Sequence, residues 1–232
     1  MTPTPWLCVD LPLTDYEDAL ALQREIVAAR RDRRLDRDVV LLLEHPPVFT
    51  LGRHGGRENL TATEAFLSRR GIRVVQIERG GNITYHGPGQ LVVYPILDLN
   101  RLRLPVKDYV TGLERVMAAS AADQGTAAVG DEKNRGIWVE GRKLGSIGIT
   151  VRRGISFHGL ALNVNTDLEP FTWIHPCGLH NVRMTSMRAE LGREADMAAV
   201  RKSMVRHLTG MLGREGIPTP LDVLRGRMES SW

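Results

Sequence analysis

Cysteine and lysine are both scarce in these 232 residues, and each scarcity excludes something. Two cysteines, Cys8 and Cys177, lie far apart and do not form the dense, even framework of a small secreted fold, so a reducing compartment is expected. Apolar runs such as "VVLLL" are far shorter than a membrane span. The opening "MTPTPWLCVD" lacks a basic region followed by an apolar one, which predicts a soluble, cytoplasmic protein with no membrane partner. Metal and nucleotide signatures are missing too. There is no HExxH, no paired CxxC, no GxGxxG and no loop ending in GK[ST], so neither a metal ion nor a bound nucleotide has a positive signal. No repeat, low-complexity linker or charge block divides the chain.

Four of the 31 basic side chains are lysines: Lys107, Lys133, Lys143 and Lys202. Generic positive charge is therefore carried by arginine. A lysine inside a motif then stands out for its titratable amine, which arginine cannot supply near neutral pH. The net charge of +4 suits acidic partners without demanding nucleic acid.

The hydrophobic pattern predicts a mixed order of elements. Thr14 and Glu17 form a capping-box pattern at the head of a helix over 15–31, with Tyr16, Leu20 and Val27 on one face. "DVVLLLEHPP" reads as a buried strand stopped by prolines, with "VFTLGR" continuing it. Thr61 and Glu64 repeat the cap pattern for a short helix before the strand "IRVVQIE". "LVVYPIL" is a further strand and 106–123 a helix. "GIWVEGRKLGSIGITV" reads as a hairpin turning at Glu140-Gly141, and "SFHGLALNV" as the next strand. A last helix over 194–212 places Met197, Val200, Met204, Leu208 and Met211 at core spacing. Hairpins in the middle and helices at the ends predict an α+β fold, a mixed, largely antiparallel sheet covered by helices. One domain is expected over 1–217. The segment 218–232 has prolines and little periodicity and is expected to be a mobile tail.

Four glycine-punctuated segments are candidates for chemistry: 78–90, 140–148, 157–164 and "HPCGLHNVRMTS" at 175–186. His175, Cys177 and His180 are closely spaced, but Pro176 stiffens the run and no second ligand pair exists, so metal binding is not expected. Cys177 as a nucleophile needs help, since a free thiol is only a few per cent thiolate at neutral pH. His86, His158, His175, His180 or a lysine are all available as its partner, and spacing does not choose among them. Cys8, in the apolar "PWLCV", reads as an inert buried thiol.

"RGGNITYHGPGQLVVYPILDL", "GRKLGSIGI", "HGLALNVNTDL" and "IHPCGLHNVRMTS" resemble, in order over about 79–187, the signature segments of the lipoyl(octanoyl) transferase family (LipB; octanoyl-[acyl-carrier-protein]:protein N-octanoyltransferase). The resemblance implies a biotin/lipoate protein ligase-like catalytic domain and a thiol/lysine dyad at Cys177 and Lys143. By the same resemblance, Arg79, Gly80, Gly81, Asn82, Ile83, Thr84, Tyr85 and His86, with Ser146, Ile147 and Gly148 and with Gly159, Leu160 and Ala161, line the substrate pocket. Ile83, Ile147 and Leu160 suit a medium acyl chain, and Gly81, Gly148 and Gly159 leave room for it. Tyr85 and Asn163 are expected as supports. The implied partners are octanoyl-acyl carrier protein as donor and, as acceptors, the apo lipoyl domains of 2-oxoacid dehydrogenase complexes and the glycine cleavage H protein. Arg53, Arg57 and Arg152 or Arg153 are candidate contacts for these acidic domains. No cofactor is implied, because exchanging one thioester for another needs no ATP and the final amide draws the reaction forward. An ATP-dependent ligase and a catalytically idle binding module are the alternatives. The first predicts that Cys177→Ala survives, the second that no acyl-enzyme forms.

Overall fold

The computed structural model describes residues 4–175 and 182–229. Its first element, β1 (Trp6–Leu13), carries no alternating pattern, and Pro12 lies where its pairing shifts register, so the missing N–H breaks no ladder bond. Helix α1 (Tyr16–Arg31) is capped by Asp15, whose carboxylate accepts the N–H of Glu17. The Thr14 cap is therefore displaced by one residue, and the Thr14 hydroxyl donates back to the carbonyl of Pro12. Strand β2 (Val39–Glu44) is followed by β3 (Val48–Leu51), which does not continue it. Pro46 and Pro47 turn the chain, and β3 joins a second sheet. Helix α2 (Glu64–Arg69) is capped by Thr63, not Thr61, through the N–H of Phe66. Next come β4 (Arg73–Gln76), β5 (Ile83–His86), β6 (Gln90–Ile96), α3 (Val106–Ala122), β7 (Val129–Gly130) and β8 (Gly136–Val139). β9 (Arg142–Arg152) and β10 (Ile155–Asn163) follow, then β11 (Arg183–Met184), α4 (Met187–Leu191), α5 (Met197–Leu212), β12 (Gly216–Pro218) and α6 (Leu221–Glu229).

Among the described residues the main sheet runs β12-β1-β2-β6-β10-β9-β8-β7, with β11 added beside β9. Its central pairs, β2 with β6, β6 with β10 and β10 with β9, are antiparallel, while β1 is parallel to both β2 and β12. Both faces are covered, which explains why β2 is apolar at every position from 39 to 43. Val40, Leu42, Leu91, Val93, Leu160 and Leu162 pack toward α3 and α5, whereas Val39, Leu41, Leu43, Val92, Tyr94 and Phe157 pack toward α1 and α6. Period-two alternation thus splits one apolar run between two cores. The smaller sheet, β4-β3-β5, folds around Phe49, Leu51, Ile83 and Tyr85 and is closed by Phe171 and Ile174.

The chain end departs from expectation. Residues 221–229, expected within a mobile tail, form α6, which buries Leu224 and Met228 against the α1 face of the sheet. Leu221, Leu224 and Met228 recur at helical spacing, a short pattern masked by the prolines before it. Asp38 fastens the same region: its buried carboxylate accepts from Arg30 at 2.8 Å, from Arg214 at 2.7 Å and from the N–H of Asp98 at 3.0 Å. Such a carboxylate is tolerable inside because both oxygens accept hydrogen bonds and two of the donors are guanidinium groups.

Candidate active site

A cleft of about 540 Å³, counting its open mouth, lies where β9 and β10 of the main sheet meet the 79–86 segment leading through β5. Antiparallel register explains how two distant segments come together, since Ser146, Ile147 and Gly148 sit directly opposite Ala161, Leu160 and Gly159. Arg79, Gly81, Asn82, Ile83, Thr84 and His86 form the facing wall. Lys143 lines the same cleft. Two expected lining residues do not. The Gly80 N–H donates to the Ile149 carbonyl and its face opens on a neighbouring groove, while Tyr85 turns into the small-sheet core, edge-on to Phe171. Strand alternation sends Tyr85 away from the side taken by Thr84 and His86. Cys177 and His180 lie outside the described residues.

Glycine at 159 has a different purpose from the one expected. A Cβ there would stand 2.0 Å from the carbonyl oxygen of Val93, so the residue is dictated by the close approach of β10 to β6. Gly148 does border the wall, where a Cβ would press on Cδ of Arg79 at 2.9 Å.

Lys143 is 2% exposed, and its Nζ donates to the carbonyl of Arg135 at 2.8 Å while lying 4.9 Å above the Trp138 ring centroid. That carbonyl is itself fixed. The buried Glu114 carboxylate on α3 accepts from the Gly136 N–H at 2.9 Å and from Arg135 Nη1 at 3.0 Å. Gly136 has φ 130, and a Cβ on it would be 2.2 Å from the Gly145 carbonyl and 3.0 Å from Cε of Lys143. Glycine is thus the residue that fits beside the lysine stem. On the other edge of β9, Met184 pairs with Lys143, and the Thr185 N–H donates to the Lys143 carbonyl at 2.9 Å. Asn163 supports this edge by donating to the Thr185 carbonyl and accepting from Gln90.

Beyond the apolar middle of the cleft the lining turns polar. His86 Nδ1 donates to Gln90 Oε1 at 2.7 Å, because the Gln90 amide nitrogen is already committed to Tyr85 and Asn163. Burial, with His45 as a nearby like charge, holds His86 well below the ordinary imidazole range. His45 Nδ1 donates to the Thr14 carbonyl and its Nε2 accepts from the Tyr94 hydroxyl, both at 2.7 Å. Burial lowers the pKa of His45 to about 4, and that of His158 likewise to about 4. Three neutral imidazoles therefore face or back the cleft at neutral pH. Arg79 braces the opposite wall, donating from Nη2 to the Thr50 carbonyl at 2.7 Å and from Nη1 to the Gly80 carbonyl at 3.1 Å.

Tyr16, Val92, Tyr94, Arg135 and His158 also line the cleft and were not singled out as its walls. Tyr16 and Tyr94 read as ordinary core in a helix face and a strand. His158, considered only as a partner for the thiol, falls within a flagged glycine segment, and that was its one signal. Arg53, Arg57, Arg152 and Arg153 are all exposed. Arg57 is paired with Glu64, and Arg152 with Glu78 at 3.5 Å.

Residues 15–209 match the model of the lipoyl protein ligase A/B catalytic domain. An octanoyltransferase of Desulfotalea psychrophila is 51% identical over 207 residues, covering 88% of this chain and 93% of that protein. Among solved structures, a chain from the bipartite lipoate protein ligase and E2 lipoyl domain of Thermoplasma acidophilum superposes with a TM-score of 0.74 at 14% identity, covering 98% of this chain and 93% of that one. The biotin protein ligase of Aquifex aeolicus is a more distant likeness, with a TM-score of 0.52 at 9% identity over 89% of this chain and 70% of that one. On the matched family model and the extent of that sequence identity, the chain belongs to the lipoyl protein ligase A/B catalytic-domain family.

Proposed function

We propose that this chain is an octanoyltransferase that works through a Cys177 acyl-thioester, formed by thioester exchange and consumed by a lysine amine, with Lys143 as proton carrier. The observation that supports this most is the buried Lys143 amine, held by the Arg135 carbonyl and Trp138 at one end of an apolar cleft. A buried amine lining a largely apolar cleft is placed for proton transfer, not for solubility. Chain connectivity adds support: Met184, paired with Lys143, is seven residues past Cys177. The 41–51% identical relatives that carry the octanoyltransferase name favour transfer over ATP-dependent ligation.

In this reading the Cys177 thiolate attacks the octanoyl thioester carbonyl of acyl carrier protein. The carbon–sulfur bond to phosphopantetheine breaks, and that thiolate leaves with the proton held by the Lys143 ammonium. The neutral amine of a lysine on an apo lipoyl domain then attacks the enzyme thioester. An amide forms, the Cys177 sulfur departs, and Lys143 takes up the amine proton. Arg79, Gly81–Thr84, His86, Ser146–Gly148 and Gly159–Ala161 hold the acyl chain, and no bound cofactor takes part. Acceptors are lipoyl domains of 2-oxoacid dehydrogenase complexes and the glycine cleavage H protein. The exposed Arg53 and Arg153 suit their acidic surfaces.

Intact-protein mass spectrometry after brief exposure to octanoyl-acyl carrier protein without ATP tests the reading. A thiol-labile octanoyl adduct is expected on Cys177 of the wild type, chasing onto apo lipoyl domain and absent from Cys177→Ser. Transfer that appears only with free octanoate and ATP would replace it with the ligase reading.

A further inference from the structure

The far end of the cleft carries polar atoms that its neighbours leave unsatisfied. His158 is 1% exposed, and neither Nδ1 nor Nε2 has a hydrogen-bond partner among the described residues. Nε2 of Gln23 is buried in the same condition, and the Tyr16 hydroxyl, buried beside that of Tyr94, keeps hydrogen-bonding capacity to spare. These groups belong to one locality. Tyr16 and Gln23 are seven residues apart on α1, hence on one stripe of it, and Gln23 Oε1 accepts the His158 N–H at 2.8 Å. Tyr16 and His158 both line the cleft. An orphaned buried polar atom is destabilising unless something binds it.

Backbone geometry singles out the same place. His158 has φ 56, a left-handed conformation in the middle of a strand, which turns its ring out of simple alternation and stacks it on Phe157. A strained, buried histidine with two unpartnered nitrogens is not explained by packing alone.

The position along the sheet gives the site its meaning. Gly136 is opposite Ser146, so the Arg135 carbonyl that holds Lys143 Nζ lies near the level of residues 146–147 on β9. His158 is opposite Ile149. Two to three residues at about 3.3 Å each separate the amine from the imidazole, roughly 7–10 Å. A medium-chain acyl group with its carbonyl beside Lys143 spans that distance and ends at His158.

We propose that Tyr16, His158 and Gln23 form a terminal polar subsite that holds one hydrogen-bonding group, a water behind a plain octanoyl chain or the chain's own terminal hydroxyl, and so sets acyl length. A longer alkyl chain must displace that group and strand the polar atoms, whereas a terminal hydroxyl satisfies them. Discrimination of this kind exceeds what a methylene in an apolar slot provides. The assignment rests on the cleft being the acyl site, as in the proposed function.

Equilibrium binding of octanoate, 8-hydroxyoctanoate and dodecanoate, by titration calorimetry, separates the two ideas because it requires no turnover. Wild type is expected to bind 8-hydroxyoctanoate at least as tightly as octanoate, and dodecanoate about tenfold or more weakly. Tyr16→Phe, which deletes a single hydroxyl, and His158→Leu are each expected to raise dodecanoate affinity relative to 8-hydroxyoctanoate about tenfold. If His158→Leu fails to fold at its left-handed position, Tyr16→Phe carries the test. An order of affinities unchanged in the variants overturns the subsite, as does wild-type preference for dodecanoate. Expected binding without any acyl transfer from carrier protein would instead refute the transferase reading and leave the subsite standing.

Discussion

Lys143 donates a 2.8 Å hydrogen bond to the carbonyl of Arg135, eight residues earlier and immediately before the neighbouring strand β8. The bond ties the one buried lysine among the described residues to a backbone oxygen, so the amine's position is set by the chain entering β8 and not by its own flexible stem.

Replacing Lys143 by arginine keeps a positive charge and removes the amine to which the proposed mechanism gives the proton. Lys143→Arg is therefore expected to lose about 10²–10⁴-fold in transfer rate, close to the loss in Lys143→Met. Single-turnover transfer to apo lipoyl domain measures both. An arginine variant within threefold of wild type would show that charge alone suffices.

Glu114 does not line the cleft, yet it fixes the Gly136 N–H and the Arg135 guanidinium on either side of the carbonyl that holds the amine. Glu114→Ala is expected to cost roughly 3 kcal/mol in stability by stranding these donors, and up to about 100-fold in kcat through a misplaced amine. Glu114→Gln, which keeps an acceptor for Gly136, should recover much of kcat. The pH profile of transfer discriminates: a purely structural role for Glu114 leaves its shape unchanged in Glu114→Gln, and a positioning role displaces it.

Stability is expected to fall on acidification through the histidine range. His45 and His158 have folded pKa values of about 4, below about 6.5 for the unfolded chain, so between these values the unfolded state binds protons that the folded state refuses. Their contribution is complete above pH 6.5 and declines by up to about 1.4 kcal/mol per pH unit for each histidine as pH drops toward 4. Urea unfolding from pH 7 to 4.5 measures the slope. His158→Asn should flatten it by about one proton, and an identical slope in the variant would refute the assignment.

The two thiols should differ in reactivity. Burial, reinforced by Asp10, raises the Cys8 pKa to about 11, leaving almost no thiolate at neutral pH. Iodoacetamide at pH 7.5 is expected to alkylate Cys177 first and abolish transfer, with Cys8 modified only on unfolding. Peptide mapping of a partly labelled sample reports the order, and Cys8→Ala should retain transfer.

Much of the fold was legible because it rests on local regularities. The α1, α3 and α5 periodicities and the Glu140-Gly141 turn, with φ of 45 and 78, are written within a few residues of themselves. Caps were misread by one or two residues, since Asp15 and Thr63 compete with equally suitable neighbours. β3 was assigned to the wrong sheet because two prolines announce a turn without saying which sheet receives the next strand.

The sequence by itself determined the chemistry-bearing segments, a sheet covered by helices and the family to which the chain belongs, because apolar period and motif order are properties of the chain. Tertiary structure alone decided that Tyr16 and His158, 142 positions apart, share one end of a cleft, and that Glu114 on a helix fixes the carbonyl holding Lys143. These relationships depend on strand register and helix docking, which pair residues through space and leave no periodic trace along the chain.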